Sequence, residues 1–276
     1  MSETPDLPPL REVIRQHNLR AEKSLGQNFL LDGNITDKIV RLSGDLTGLH
    51  MIEIGPGPGG LTRSLLTSPA ASVTAIEFDP RAVTAITDLK ALYGERLTII
   101  HGDALKTDVT QITPAPRAIA ANLPYNISTV LLTNWLKQIH TDPAAISFMA
   151  LMFQKEVAQR IMTPSGSKTY GRLSVLAQWL TTPKKLFDLP PSAFTPPPKI
   201  SSSVIHFTPK NLGPDKPAFE LFEDITAKAF GQRRKMIRSS LVDYKDAVEL
   251  AGIDTTLRAE DLSVDDFVAI ARVVRP

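Results

Sequence analysis

The 276-residue chain has no cysteine. That removes disulfides, a thiolate nucleophile, and any zinc or iron–sulfur centre built on sulfur ligands. Histidine is scarce as well. The five, at 17, 50, 101, 140 and 206, are scattered, and no two have the spacing of a metal site, so no metal is expected. No uninterrupted apolar run reaches the ~18 residues that a membrane span needs. The opening MSETPDLPPLREVIRQH is acidic and proline-rich before any apolar stretch begins, unlike a secretory signal. The expectation is a soluble chain of a reducing compartment, most simply the cytoplasm. An excess of one charge is also missing. Lys and Arg number 31 against 29 Asp and Glu, with 21 and 17 in residues 1–210 and 10 and 12 in the remainder. A polyanionic partner would be held by a local patch, not by the field of the whole molecule. What is present, 42% hydrophobic and 22% charged residues, is ordinary globular composition, enough for one large or two smaller domains.

From about residue 11 to 45 the pattern is helical with a break at Gly26, and then a strand–loop–helix rhythm sets in. Short apolar runs at 50–54, 73–76, 97–100, 118–121 and 148–153 read as strands, with helices from Gly60 and from Pro80 between them. Such alternation predicts an α/β fold, a parallel sheet covered on both faces. Five prolines between 190 and 198 exclude a helix or central strand there. Residues 204–207 read as a last strand and 208–217 as a linker. The rest is helical, giving the expected division 1–20 extension, 21–209 sheet domain, 210–276 small helical domain.

Glu53-Ile-Gly55-Pro-Gly57-Pro-Gly59-Gly60 lies between a strand and a helix, where backbone N–H groups can approach an anionic ligand. Gly55, Gly57 and Gly60 fit a dinucleotide fingerprint; Gly55, Gly57 and Gly59 fit a looser methyltransferase pattern. Glu77 ends the next strand, placed for ribose hydroxyls, and Asp103 ends the third, placed for an adenine amine. A tight turn with surface acids is the plain alternative, and the loop alone does not separate NAD from S-adenosylmethionine.

Asn122-Leu123-Pro124-Tyr125 follows the fourth strand at the carboxyl edge of the sheet. The lone pair of an adenine amine is delocalised into its ring. The Asn122 side-chain oxygen and the Pro124 carbonyl can each accept one N–H, which localises that lone pair for attack and offsets charge developing on nitrogen. Tyr125 can stack on a base taken out of its helix. An Asn-x-Pro turn with a core tyrosine is the structural alternative. Phe194, in the stiff segment FTPPPK, is a candidate second face for the base. The cluster Arg233-Arg234-Lys235…Arg238 has no acid between Asp224 and Asp243. Its residues 234 and 238 share a face if helical, and a phosphate contact follows.

These stretches in this order resemble the ribosomal RNA adenine N6-dimethyltransferase family. The likeness runs through GQNFL at 26–30, EIGPGPGGLT at 53–62, NLPYNIST at 122–129, QKEVAQRI at 154–161, YGRLSV at 170–175, FTPPPK at 194–199 and FGQRRKMIRSSL at 230–241. QKEV, YGRLS and QRRK favour the small-subunit branch over the large-subunit resistance enzymes. The resemblance implies a Rossmann-like methyltransferase domain with a small helical C-terminal domain, and S-adenosylmethionine as donor. It implies dimethylation of two adjacent adenosines near the 3′ end of 16S rRNA in the small ribosomal subunit, with a role in subunit assembly. Carried over by motif, Asn28, Leu30 and Gly55 would line the cofactor pocket, beside Gly57. Glu77 would hold the ribose, Asp103 the adenine amine, and Asn122 would face cofactor and target. Nothing demands more than a monomer. A DNA adenine methyltransferase, an NAD-dependent oxidoreductase and a non-catalytic assembly factor are the alternatives.

Overall fold

The computed structural model describes residues 7–22 and 25–274, so the first six residues of the extension lie outside it. Its elements in chain order are α1 Leu10–Gln16, β1 Phe29–Leu30, α2 Gly33–Leu42, β2 His50–Ile54, α3 Gly60–Thr67, β3 Ser72–Glu77, α4 Pro80–Tyr93, β4 Leu97–His101, α5 Val109–Ile112, β5 Arg117–Ala121, α6 Ser128–Thr141, β6 Met149–Gln154, α7 Lys155–Met162, α8 Arg172–Leu180, β7 Thr181–Leu189, β8 Phe194–Thr195, β9 Ser202–Pro209, α9 Phe219–Gly231, α10 Ile237–Ser240, α11 Lys245–Leu250 and α12 Val264–Val273.

Seven strands form one sheet in the order β4-β3-β2-β5-β6-β9-β7. The first five are parallel, and β9 runs antiparallel to β6. The sheet is therefore mixed, not wholly parallel as the sequence suggested. β2, β5 and β6 are buried along almost their whole length, which is why they read as continuous apolar runs. Three strands escaped the sequence reading. β7 is buried only at its two ends, Thr181 and Leu189, carries Pro183 and two lysines, and sits at the sheet edge, where a missing N–H is tolerated. β1 and β8 are two-residue strands that pair only with each other, Phe29 opposite Thr195 and Leu30 opposite Phe194.

The connection order reverses between β2 and β5. In open α/β sheets that switch point opens a crevice outside the carboxyl ends of the strands. The glycine loop after β2 and the tetrapeptide after β5 both open into it. One wall is held from behind by the supposed extension: Val13 and Leu19 are buried with Phe29, Ala82 and Ala85.

The chain divides into two compact units, one of residues 1–134, 144–158 and 184–208, the other of 135–143, 159–183 and 209–276. The second is thus not confined to 210–276. Its aromatic core stacks Trp179 on Phe222, ring centres 3.8 Å apart, and sets Phe230 against Tyr170 and Phe267.

Candidate active site

A cavity of about 240 Å³ lies at the switch point, walled by residues 25–29, 54–57, 76–79, 102–105 and 122–127 in part. Residues 25–29 lead into β1, and each of the other walls is the end of one strand or the loop that follows it. Gly55, Gly57 and Gly59 have φ of 66°, 55° and 88°, so the loop needs residues without the Cβ penalty. Gly57 is also a close approach: a Cβ there would lie 2.9 Å from the Phe29 ring.

Glu77 is 6% exposed and organises this wall. Its Oε2 accepts the Gly57 N–H at 3.1 Å, and its Oε1 accepts those of Phe78 and Asp79, both at 2.8 Å. Burial raises its carboxyl pKa, and the three amide donors pull the other way. Asp79 caps α4 and takes Arg81 through both nitrogens at 3.0 and 2.7 Å, which holds its pKa down to about 2. Gln27 donates to the same carboxylate at 3.0 Å, and Arg81 also reaches Glu22, so the 22–27 segment is tied to the cavity rim. Asp103 Oδ1 accepts the Leu105 N–H at 2.9 Å. Among the described residues its Oδ2 has no recorded donor.

Asn122 is fixed by an unexpected partner. Its Nδ2 donates to the Asn28 backbone carbonyl at 2.8 Å, which leaves Oδ1 as the free, acceptor end of the amide. The Asn28 side chain in turn donates to the Gly26 carbonyl at 3.2 Å. The Pro124 carbonyl accepts the Ile127 N–H at 3.1 Å, using one of its two lone pairs and leaving one for a ligand. Tyr125 is half-buried and its hydroxyl lies 2.7 Å from Ser202 Oγ on β9. Burial raises the phenol pKa, so the hydroxyl stays protonated near neutrality.

The structure brings Asn28, Gly55, Gly57, Glu77, Asp103, Asn122, Pro124 and Tyr125 to this one cavity. It does not bring Leu30 or Phe194. Leu30 is 5% exposed and Phe194 3%, both in the hydrophobic core, because β1 and β8 pair them across the ladder. Phe194 therefore presents no free ring face here, a correction to the expectation of an exposed stacking partner. The basic cluster is not one helical face either. α9 ends at Gly231, residues 232–235 form a turn, and α10 has only four residues. Arg233 is folded back: its Nη2 donates to the carbonyls of Lys168 and Tyr170 at 2.7 and 2.8 Å and lies 3.3 Å from Glu260. Arg234, Lys235 and Arg238 are exposed. Met236 is also exposed, whereas Ile237 and Leu241 are fully buried.

Sequence reasoning missed Phe78 and Leu105, apolar walls of the cavity. Phe78 is 62% exposed beside a buried acid. A large aromatic next to a strand-end carboxylate was the signal available. Two carboxylates able to accept hydroxyl and amine hydrogens, apolar walls for a base, and a glycine loop without Cβ atoms fit an adenosyl group. The donor set thus fits S-adenosylmethionine.

Among the described residues no helix is long and apolar enough to cross a membrane, and no group of three His, Cys, Asp or Glu could hold a metal ion. Residues 18–275 match the family described as Ribosomal RNA adenine dimethylase. Curated proteins named Ribosomal RNA small subunit methyltransferase A are similar across nearly the full chain. The one from Xanthobacter autotrophicus is 52% identical, covering 98% of this chain and 95% of its own length. That from Cereibacter sphaeroides is 53% identical, covering 97% of each. Among solved structures, a dimethyladenosine transferase from Plasmodium falciparum superposes with a TM-score of 0.71 at 26% identity, over 87% of this chain and 94% of that one. The 23S rRNA methyltransferase ErmE, at 22% identity and a TM-score of 0.64 over 90% of this chain and 99% of its own, shares the Rossmann-like fold. The chain therefore belongs to the ribosomal RNA adenine dimethylase family, S-adenosylmethionine-dependent enzymes that dimethylate adenine in rRNA.

Proposed function

We propose that this enzyme converts two adjacent adenosines near the 3′ end of 16S rRNA to N6,N6-dimethyladenosine, acting as a monomer on the small ribosomal subunit in the cytoplasm. The observation that carries this reading is the Asn122 amide at the cavity wall, whose nitrogen is committed to the Asn28 carbonyl and whose oxygen is left to accept. S-adenosylmethionine supplies a sulfonium methyl whose bond to sulfur breaks as its bond to N6 forms, sulfur keeping the electron pair and N6 losing a proton to water.

Glu77 would hold the ribose hydroxyls through lone pairs that its three amide donors do not use, and Asp103 Oδ2 would accept the cofactor's adenine amine. Phe78 and Leu105 would flank that ring, and Gly55 and Gly57 let the backbone lie against the chain of the donor. Asn122 Oδ1 and the Pro124 carbonyl each accept one N6–H of the target. That draws the nitrogen lone pair out of the aromatic ring and stabilises positive charge on N6 as the bond forms. No general base is needed, because the alkylated nitrogen is acidic. Tyr125 stacks on the target base and fixes its plane. Arg234, Lys235 and Arg238 are free to meet phosphates, whereas Arg233 holds their turn in place.

The test is transfer of labelled methyl to small subunits that lack the 3′-end dimethyladenosines, followed by nucleoside analysis. Appearance of N6,N6-dimethyladenosine is the expected result. Transfer to DNA but not to subunits would replace this reading with a DNA adenine methyltransferase. Tight subunit binding without transfer would leave an assembly factor.

A further inference from the structure

The contact between Tyr125 and Ser202 has no part in making an acceptor or a cofactor wall, yet among the described residues it is the only hydrogen bond of the Tyr125 hydroxyl. Ser202 is fully buried at the start of β9, opposite Gln154 of β6 in the antiparallel register. Its neighbour Ser203 donates to Asp188 at 2.7 Å, and that carboxylate lies 3.1 Å from Lys155 and 3.4 Å from Lys185. The serine pair is thus anchored in the sheet and at its edge. The Tyr125 ring hangs from a loop at its backbone end and from this strand at its hydroxyl end. A tyrosine held only at Cα turns about two side-chain torsions, and the second of these is broad. The hydroxyl bond removes that freedom.

We infer that Ser202 is a positioning residue that locks the Tyr125 ring and thereby supports the second methyl transfer to each adenosine more than the first. This rests on the function proposed above. The reason is a count of hydrogen bonds. An unmodified N6 offers two hydrogens, and both acceptors, Asn122 Oδ1 and the Pro124 carbonyl, can be satisfied. The first transfer exchanges one N6–H for N6–CH₃, with that proton released to water. The monomethylated amine then has one hydrogen for two acceptors, so one acceptor goes unpaired in a partly buried site. An unpaired polar group there weakens the hold on the base. Stacking on Tyr125 does not depend on N6–H, so the stack carries a larger share of positioning in the second step. A ring free to swing harms that step first.

The experiment compares wild type, Ser202→Ala, Tyr125→Phe and the double variant on the same subunits, following N6-methyladenosine and N6,N6-dimethyladenosine with time. Binding of S-adenosylmethionine is measured by titration in parallel. Each single variant should slow the second transfer by up to roughly tenfold, the scale of one lost hydrogen bond, and the first by much less. Monomethylated product should accumulate, and the double variant should look like either single, because both remove one bond. Cofactor affinity should stay within about twofold of wild type. Tyr125→Phe deletes a single oxygen and guards against a folding defect in Ser202→Ala. An unchanged product ratio in Tyr125→Phe, or additive effects in the double variant, overturns the inference while wild-type dimethylation upholds the function. Absence of dimethyladenosine from wild type itself overturns both.

Discussion

Asn122 carries one oxygen and one nitrogen, and the fold commits the nitrogen to the Asn28 carbonyl, 94 positions away in sequence. The residue-scale consequence is directional. Asn122→Ala removes the acceptor together with its bond to the Asn28 carbonyl but leaves Glu77 and Asp103 in place, so methyl transfer should fall about 10²- to 10³-fold, as for loss of one preorganised polar group at a developing charge. Cofactor affinity should change little. Single-turnover transfer and equilibrium titration separate the two, and unchanged transfer would remove Asn122 from the chemistry. Gly60 illustrates a different constraint. Its φ is not left-handed, but a Cβ would meet the Leu30 carbonyl oxygen at 2.7 Å and Leu10 at 3.2 Å. Neither the α3 start nor β1 can yield freely, because Leu30 is paired to Phe194. Gly60→Ala should cost about 1–3 kcal/mol of stability, the usual scale of overpacking. A melt unchanged within error would show that β1 gives way at no cost. The Gly-Gly pair at 59–60 therefore has two causes, a left-handed helix cap at Gly59 and a close backbone approach at Gly60.

At the scale of elements, what the sequence disclosed follows from what local pattern can carry. β2, β3, β5 and β6 were legible because strands buried in a parallel sheet are apolar runs, and the edge strand β4 because its Leu-Thr-Ile-Ile stretch is a short apolar run too. Glu77, Asp103 and Asn122 were legible for the same reason, since each marks a strand end. β7 was not, because an edge strand with Pro183 and exposed lysines has no apolar run. The pairing of Leu30 with Phe194 was invisible, because it joins segments 164 residues apart through two-residue strands. The basic cluster was misread as one helical face, since four-residue spacing cannot reveal that α9 stops at Gly231. That error can be tested by contrast. Arg233→Ala frees two backbone carbonyls and should lower stability by about 1 kcal/mol. Arg234→Ala should leave the melt untouched, weaken subunit or RNA binding, and reduce the slope of log affinity against log salt by roughly one. If Arg233→Ala changes only the salt slope, its guanidinium faces phosphate in solution and not Lys168 and Tyr170.

On the scale of the whole molecule, a nearly balanced charge count says little about how stability depends on pH, because the groups that matter are the few with displaced pKa values. Glu53 is the leading case. It lies at the end of β2, 2% exposed, and its Oε2 accepts the Thr62 hydroxyl at 2.6 Å. Burial raises its pKa to about 8, Thr62 opposes that shift, and the charge of Glu77 adds to it. Glu53 is therefore protonated in the folded enzyme at neutral pH but ionised in the unfolded chain above an ordinary carboxyl pKa near 4.5. Between those values the folded state binds one more proton, so this contribution is fully present at acid pH and is lost as pH rises through about 8. Asp79, held down to about 2 by Arg81, has the opposite sign, and its contribution is lost only in strong acid. Glu53→Gln keeps the shape and the acceptor for Thr62 and cannot ionise. Denaturant unfolding at pH 5, 7 and 9 should therefore show wild type losing ground to Glu53→Gln as pH rises, with a limiting slope of roughly 1.4 kcal/mol per unit that flattens above 8. Parallel curves for the two proteins would mean that Glu53 is already ionised in the fold. The glycine loop would then start from a buried charge, and Thr62 would be its counterweight in place of a bond between neutral partners.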